Sequence, residues 1–159
     1  MSSIIIVGSA RRNGNTAKVA TTLAEKLEAS IVDLLDYQLS PYRYTADYPT
    51  GDQFIHLIET YLLPHDHIVL ASPVYWYTMS AQLKVFLDRF SDLLTTHKSL
   101  GRQLRGKQLS VLSCSNDRQI NESFYAAFRL TTNYLGMNYG REWHGWIVNN
   151  RIELAHSPI

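Results

Sequence analysis

Two short stretches of this chain hold side chains of the types that do chemistry. The first reads Gly8-Ser9-Ala10-Arg11-Arg12-Asn13-Gly14-Asn15-Thr16 and follows an apolar run, Ile4-Ile5-Ile6-Val7. Hydroxyls of Ser9 and Thr16, the Asn15 side chain and backbone N–H groups can converge there, beside a full positive charge on Arg11 or Arg12. Opening a helix, this loop has the ingredients of a phosphate cradle, because helix N-termini present free N–H donors and partial positive charge. Gly14 permits close backbone approach or a positive φ. The loop is neither a P-loop, since Asn15 stands where lysine is required, nor a G-x-G-x-x-G dinucleotide loop. It suits a terminal phosphate monoester. The competing reading is a polar turn capped by Asn15 or Thr16.

The second stretch reads Ser72-Pro73-Val74-Tyr75-Trp76-Tyr77-Thr78-Met79-Ser80. A rigid proline followed by large rings makes a flat apolar wall with backbone N–H groups along it. A flavin ring needs that combination of stacking area and main-chain bonds. The alternative for Trp76 and Tyr77 is core filling or an oligomer interface.

The elements that must position these stretches alternate between strand and helix. Ile4–Val7, residues 31–35, 67–71 and 108–114 read as short buried strands, and residues 138–148 contain a fifth. Between them fall helical stripes: Val19, Ala20, Leu23, Ala24 and Leu27; Phe54, Ile55, Ile58, Tyr61 and Leu62; Leu83, Phe86, Leu87, Phe90, Leu93 and Leu94; Phe124, Tyr125, Phe128 and Tyr134 or Leu135, stopped by Gly136. The tail from Asn149 is assigned no structure. This order predicts an α/β fold, a flavodoxin-like doubly wound parallel sheet of five strands in the order 2-1-3-4-5, with helices on both faces and residues 1–159 as one domain. Ligands bind such sheets outside the strands' carboxyl ends, where the winding reverses, between strands 1 and 3. Both chemical stretches fall there.

Composition narrows the function. The chain has 159 residues, with 15 basic and 14 acidic residues and a net charge of +1. Without a basic excess, nucleic acid is not an expected partner. No apolar run approaches the length of a membrane span, and the N-terminus lacks the pattern of a secretory signal, so a cytoplasmic protein is expected. The single cysteine, Cys114, excludes a disulfide framework and reads as a small buried hydrophobe. His65-Asp66-His67 lacks a third metal ligand and reads as a solvated turn; no metal site is expected. The remaining histidines show no pairing pattern. Lys84 and Asp88 read as a helix-face ion pair. Tyr42, Tyr44 and Tyr48 lie in a long loop that either covers the site or packs against the domain.

The two stretches together resemble the flavodoxin-like NAD(P)H-dependent FMN reductase and quinone reductase family. The resemblance rests on Gly8-Ser9-x-Arg11-x-x-Gly14-Asn15-Thr16, on Ser72-Pro73-Val74-Tyr75-Trp76, on Met79-Ser80-Ala81-Gln82-Leu83-Lys84 and on Phe86-Leu87-Asp88-Arg89. It implies noncovalent FMN, with the phosphate held by Ser9, Arg11, Gly14, Asn15 and Thr16. Pro73, Val74, Tyr75 and Trp76 would contact the ring and ribityl chain. The loop after strand 4, often glycine-rich in this family, is here Ser113-Cys114-Ser115-Asn116-Asp117-Arg118, with Ser113 and Ser115 the candidate contacts. Related iron–sulfur flavoproteins carry a cysteine motif after strand 2, where this chain has Pro41-Tyr42-Arg43-Tyr44, so a cluster is not expected. The implied reaction is hydride transfer from NAD(P)H through FMN to a small acceptor such as a quinone or free flavin, by alternating turnover on one face, with no protein residue assigned as acid or base. The alternative is a flavodoxin-type electron carrier, against which the near-zero net charge weighs. The resemblance also suggests a homodimer bordered by Trp76 and Tyr77.

Overall fold

The computed structural model describes residues 1–157, so residues 158 and 159 of the expected domain lie outside the described residues. The strands are β1 (Ser3–Val7), β2 (Ser30–Asp33), β3 (His67–Pro73), β4 (Gln108–Cys114), β5 (Asn138–Val148) and β6 (Arg151–His156). The helices are α1 (Asn15–Leu27), α2 (Phe54–Leu57, continued by a π-turn over Ile58–Leu62), α3 (Ala81–Asp88), α4 (Lys98–Arg102) and α5 (Ser123–Tyr134). The sheet order is β2-β1-β3-β4-β5-β6, parallel from β2 to β5. The doubly wound order 2-1-3-4-5 thus stands.

The strand count is corrected from five to six. β6 pairs antiparallel with β5 across Asn149-Asn150, both with positive φ (49° and 60°). That conformation is the tight hairpin turn asparagine tolerates best. β6 stayed unassigned from sequence because it is an edge strand, alternating only between exposed and half-buried residues. Its job is to cover: Ile152 and Leu154 pack against the core on the α1 face, where among the described residues no helix follows β5.

Strand side chains alternate between two cores. Ile4, Ile6, Ile68, Leu70, Leu109 and Val111 face α2, α3 and α5. Ile5, Val7, Val69, Ala71, Leu112 and Cys114 face α1 through Val19, Ala20 and Leu23. At the carboxyl end of β1 the backbone of α3 comes very close to Gly8. A Cβ there would sit 2.6 Å from Leu83 Cβ and 2.9 Å from Leu83 N. Ser80 caps α3, accepting from Leu83 N–H while its hydroxyl donates to the Gly8 carbonyl (2.7 Å). The two chemical stretches are thereby bolted together.

His67 corrects the solvated-turn reading. It is buried at the start of β3, with Nδ1 3.0 Å from Ser3 Oγ and Nε2 2.9 Å from Ser110 Oγ. Burial lowers its pKa. Opposite Ser110, β5 shifts register by a bulge, and the Arg141 N–H donates to Ser110 Oγ (3.1 Å). Residues 65–67 lie at the amino ends of the parallel strands, away from the ligand end. Lys84 and Asp88 are indeed paired on the exposed face of α3 (2.5 Å).

Candidate functional site

Three loops leave the carboxyl ends of β1, β3 and β4 and enclose a cleft of about 480 Å³. That volume lies within the ~300–1,000 Å³ typical of small-molecule sites. The β1 loop contributes Ser9, Arg11, Gly14, Asn15 and Thr16. Ser9 and Thr16 are both buried at the base of this loop. The α1 N-terminus has no side-chain cap, which overturns the capped-turn alternative and leaves first-turn N–H donors for a ligand. Gly14 has φ −83°, so its role is close approach and not positive φ. A Cβ there would lie 2.9 Å from Arg11 Nε.

The two adjacent arginines diverge. Arg12 pairs with Asp36 and also donates to the Leu35 carbonyl (3.0 Å), tying the β1 loop to the end of β2. The Asp36 contact raises the Arg12 pKa further. Arg11 lines the cleft, and among the described residues it makes no hydrogen bond or ion pair.

The β3 loop contributes Pro73, Val74, Tyr75, Trp76 and Tyr77. Tyr75 and Thr78 exchange two backbone hydrogen bonds (2.9 and 3.1 Å) around a two-residue turn. Both central residues, Trp76 (φ 49°) and Tyr77 (φ 67°), have positive φ. Such a turn favours Asn-Gly, and bulky residues there cost ~1–3 kcal/mol each. Trp76 is 91% exposed. Strain and exposed apolar area at the cleft rim are retained where function needs them. Among the described residues the Trp76 and Tyr77 N–H groups make no bond within the protein.

The β4 loop contributes Cys114, Ser115, Asn116, Asp117, Gln119, Ile120 and Asn121. Ser113 does not reach the cleft. It is fully buried on the opposite strand face, with Oγ 2.8 Å from Tyr125 Oη and 2.8 Å from His144 Nδ1. The reason is parity: alternation turns Ser113 toward α5 and Cys114 toward α1, the helix that carries the cradle. Cys114 therefore lines the floor of the cleft, which sequence reasoning missed although the two-residue period contained the signal. Its burial pushes the thiol pKa up, so it stays a neutral thiol. Asn116, Asp117, Gln119 and Asn121 were missed because no local pattern marks an irregular loop. The loops are joined by Val74 N–H to the Cys114 carbonyl (2.9 Å) and Ser115 N–H to the Gly145 carbonyl (3.2 Å).

The tyrosine-rich loop packs elsewhere. Tyr48 lies over the Arg89 guanidinium (3.5 Å to the ring centroid) and Tyr44 is 94% exposed. Neither lines the cleft.

The cleft has an uncapped helix start and an arginine unpaired among the described residues at one end and aromatic side chains at the other, a set that fits a flat ring bearing a phosphate monoester. FMN has that shape and charge. The family model for NADPH-dependent FMN reductase matches residues 1–147. YwqN of Bacillus subtilis, described as an NAD(P)H-dependent FMN-containing oxidoreductase, is 29% identical over 124 residues, covering 74% of this chain and 68% of the relative. An iron–sulfur flavoprotein of Archaeoglobus fulgidus is 30% identical over 105 residues, 56% of this chain and just under half (45%) of that protein. Among solved structures, the Trp repressor binding protein from Bacillus subtilis has a TM-score of 0.71 at 24% identity, covering 93% of this chain and 88% of the other, a shared fold. With its doubly wound sheet, its cleft at the switch point and a family match reaching through β1 to β5, this chain belongs to the NADPH-dependent FMN reductase family.

Proposed function

We propose that the three-loop cleft is the FMN site of an NAD(P)H-dependent oxidoreductase that reduces a small acceptor such as a quinone or a free flavin. FMN, when bound, supplies the redox chemistry, taking hydride from the nicotinamide and passing reducing equivalents to the acceptor. The uncapped N-terminus of α1 beside the unpartnered Arg11 carries this reading. Those amides and Arg11 hold the phosphate, with Ser9, Asn15 and Thr16 around it. Pro73, Val74, Tyr75 and Trp76 form the wall for the ring, and free N–H groups at Trp76 and Tyr77 serve its polar edge. Ser115 lies in the third loop at the cleft, while Ser113 acts from behind it. The chain's own part is to bind, orient and shield. Substrates of both half-reactions approach the same open side, which favours alternating turnover.

Further details follow from this reading. The whole chain acts as one FMN-binding domain. Two copies meet at the exposed Trp76 and Tyr77 rings, forming a homodimer. A reductant drawn from the nicotinamide pool puts the protein in the cytoplasm. The open aromatic wall and the net charge of +1 favour an enzyme over an electron carrier that docks by acidic charge.

The test is reconstitution. Purified protein titrated with FMN should yield a yellow complex that NADPH or NADH bleaches anaerobically and a quinone restores. A complex that neither nicotinamide bleaches would overturn the enzymatic reading, and failure to bind FMN would overturn the site. Light scattering at micromolar concentration should give the mass of a dimer.

A further inference from the structure

The β4 loop is an irregular wall of the cleft. Residues 115–121 form neither helix nor strand, so side chains must set their shape. One side chain from outside the loop reaches in. His144 on β5 is buried (8% exposed), and its Nε2 lies 2.7 Å from the Asp117 carbonyl oxygen. A carbonyl only accepts, so Nε2 carries the proton. In the neutral imidazole Nδ1 then accepts, and its partner is Ser113 Oγ at 2.8 Å. Ser113 in turn accepts from the Tyr125 hydroxyl at 2.8 Å. Burial pushes the Tyr125 phenol up to about 12, which keeps it a donor.

The bonds form one directed chain: Tyr125 to Ser113, Ser113 to His144, His144 to Asp117. The Trp143 carbonyl also accepts from the Ser113 and Tyr125 hydroxyls at longer range (3.2 and 3.4 Å), Ser115 Oγ lies 3.5 Å from His144 Nε2, and the ring is further fixed by stacking on Trp146 (centroids 5.7 Å apart, 18° between planes). At the far end the Asp117 carbonyl also accepts from the Ser115 hydroxyl (3.0 Å), and the Asp117 N–H returns to Ser115 Oγ (3.2 Å). The loop is closed at the point where Asn116, Asp117 and Gln119 line the cleft.

We propose that His144 is a positioning residue for the third cofactor loop: by donating from Nε2 to the Asp117 carbonyl it holds residues 115–121 in the shape that grips FMN. The cofactor part of this inference rests on the FMN reading; the loop part does not. His144 touches neither FMN nor substrate and acts only through the loop.

Two variants separate positioning from bulk. His144→Leu keeps an apolar side chain and loses the donor. His144→Gln keeps an amide N–H that can reach the same carbonyl. Hydrogen–deuterium exchange of the protein without FMN should show the two bonded loop amides, Ser115 and Asp117, at least tenfold faster in His144→Leu and within threefold of wild type in His144→Gln. Flavin fluorescence titration should show FMN affinity reduced at least tenfold in the first and less than threefold in the second. Unchanged exchange in His144→Leu, or equal losses in both variants, overturns the proposal. Should His144→Leu not fold, Ser113→Ala removes the imidazole's other partner: exchange of the Ser115 and Asp117 amides at least threefold faster supports the proposal, and unchanged exchange overturns it. Failure of the wild type to bind FMN is a failure of the site assignment, and the exchange measurements still decide the loop.

Discussion

Arg89 and Arg11 stand in opposite regions of the molecule and meet opposite demands. Arg89 is buried where α3 and its 3-10 extension (Arg89–Leu93) meet the tyrosine-rich loop. Its Nε donates to Asp92 (2.8 Å), its two terminal nitrogens to Asp52 (2.8 and 3.0 Å), and one of them also to the Ser40 carbonyl (3.0 Å). The guanidinium lies over the rings of Tyr48 and Phe54. Arg11 is exposed at the cleft and has no partner among the described residues. One arginine is consumed by the fold, and the other is kept available. A saturated polar cluster specifies the packing of a long loop; a cluster with free donors and strained backbone is poised for a ligand.

The largest expected effect breaks the saturated side. Arg89→Met strands two buried carboxylates, which costs ~3–5 kcal/mol of stability because an unpaired buried charge has no compensation. Urea unfolding followed by circular dichroism checks this, and a loss below ~1 kcal/mol would show that the cluster relaxes into water.

Next comes Arg11→Ala, the mirror experiment. It should leave stability within ~0.5 kcal/mol of wild type and weaken FMN binding about 10- to 100-fold, the worth of a charge-assisted bond. Arg12→Ala should weaken FMN binding far less, because that guanidinium is already engaged with Asp36. Equal effects from both variants would erase the distinction between them.

A smaller effect should come from the strained turn. Replacing Trp76 with Asn and Tyr77 with Gly should raise stability by ~1 kcal/mol, because both positions have positive φ. The same pair should lower turnover with quinone, since the ring wall is lost. A gain in both would mean that the strain serves no function.

The smallest effect lies in pH dependence. Burial depresses the His67 pKa below its ordinary value of 6.5, so the folded protein resists protonation there. Its contribution is full above pH 6.5 and falls away as the pH drops toward the lower folded value, because the unfolded imidazole takes up a proton first. Burial alone would raise the Asp52 pKa, but bonds from Arg89 and from the Ser40 and Phe54 N–H groups outweigh it and hold the carboxyl below 3.8. Its contribution persists above pH 3.8 and is lost as the pH falls through the lower folded value. Stability measured from pH 7 to 3 should therefore show two separate declines, and His67→Leu should flatten the first while leaving the second.

Much of this protein was legible from local pattern. Short apolar runs such as Ile4–Val7 and the one within residues 67–71 revealed buried parallel strands, because a strand covered on both faces must be largely apolar. Their alternation with helical stripes implied the 2-1-3-4-5 order, and that order located the cleft. β6 was hidden, because an edge strand needs only alternate partial burial. The Asn149-Asn150 turn was its one local mark.

The sequence by itself determined where the switch-point end of the sheet lies and which short stretches reach the cleft there, since buried runs, a proline and a polar loop opening a helix are properties of neighbours in the chain. Only the tertiary structure decided which of Arg11 and Arg12 stays free, whether Ser113 or Cys114 faces the cleft, and that His144 reaches Asp117. Those choices turn on partners far away along the chain: Asp36 for Arg12, His144 for Ser113, Asp117 for His144. A hydrogen bond between residues remote in sequence leaves no periodicity behind. It exists only once strand pairing and helix packing have brought donor and acceptor within about 3 Å.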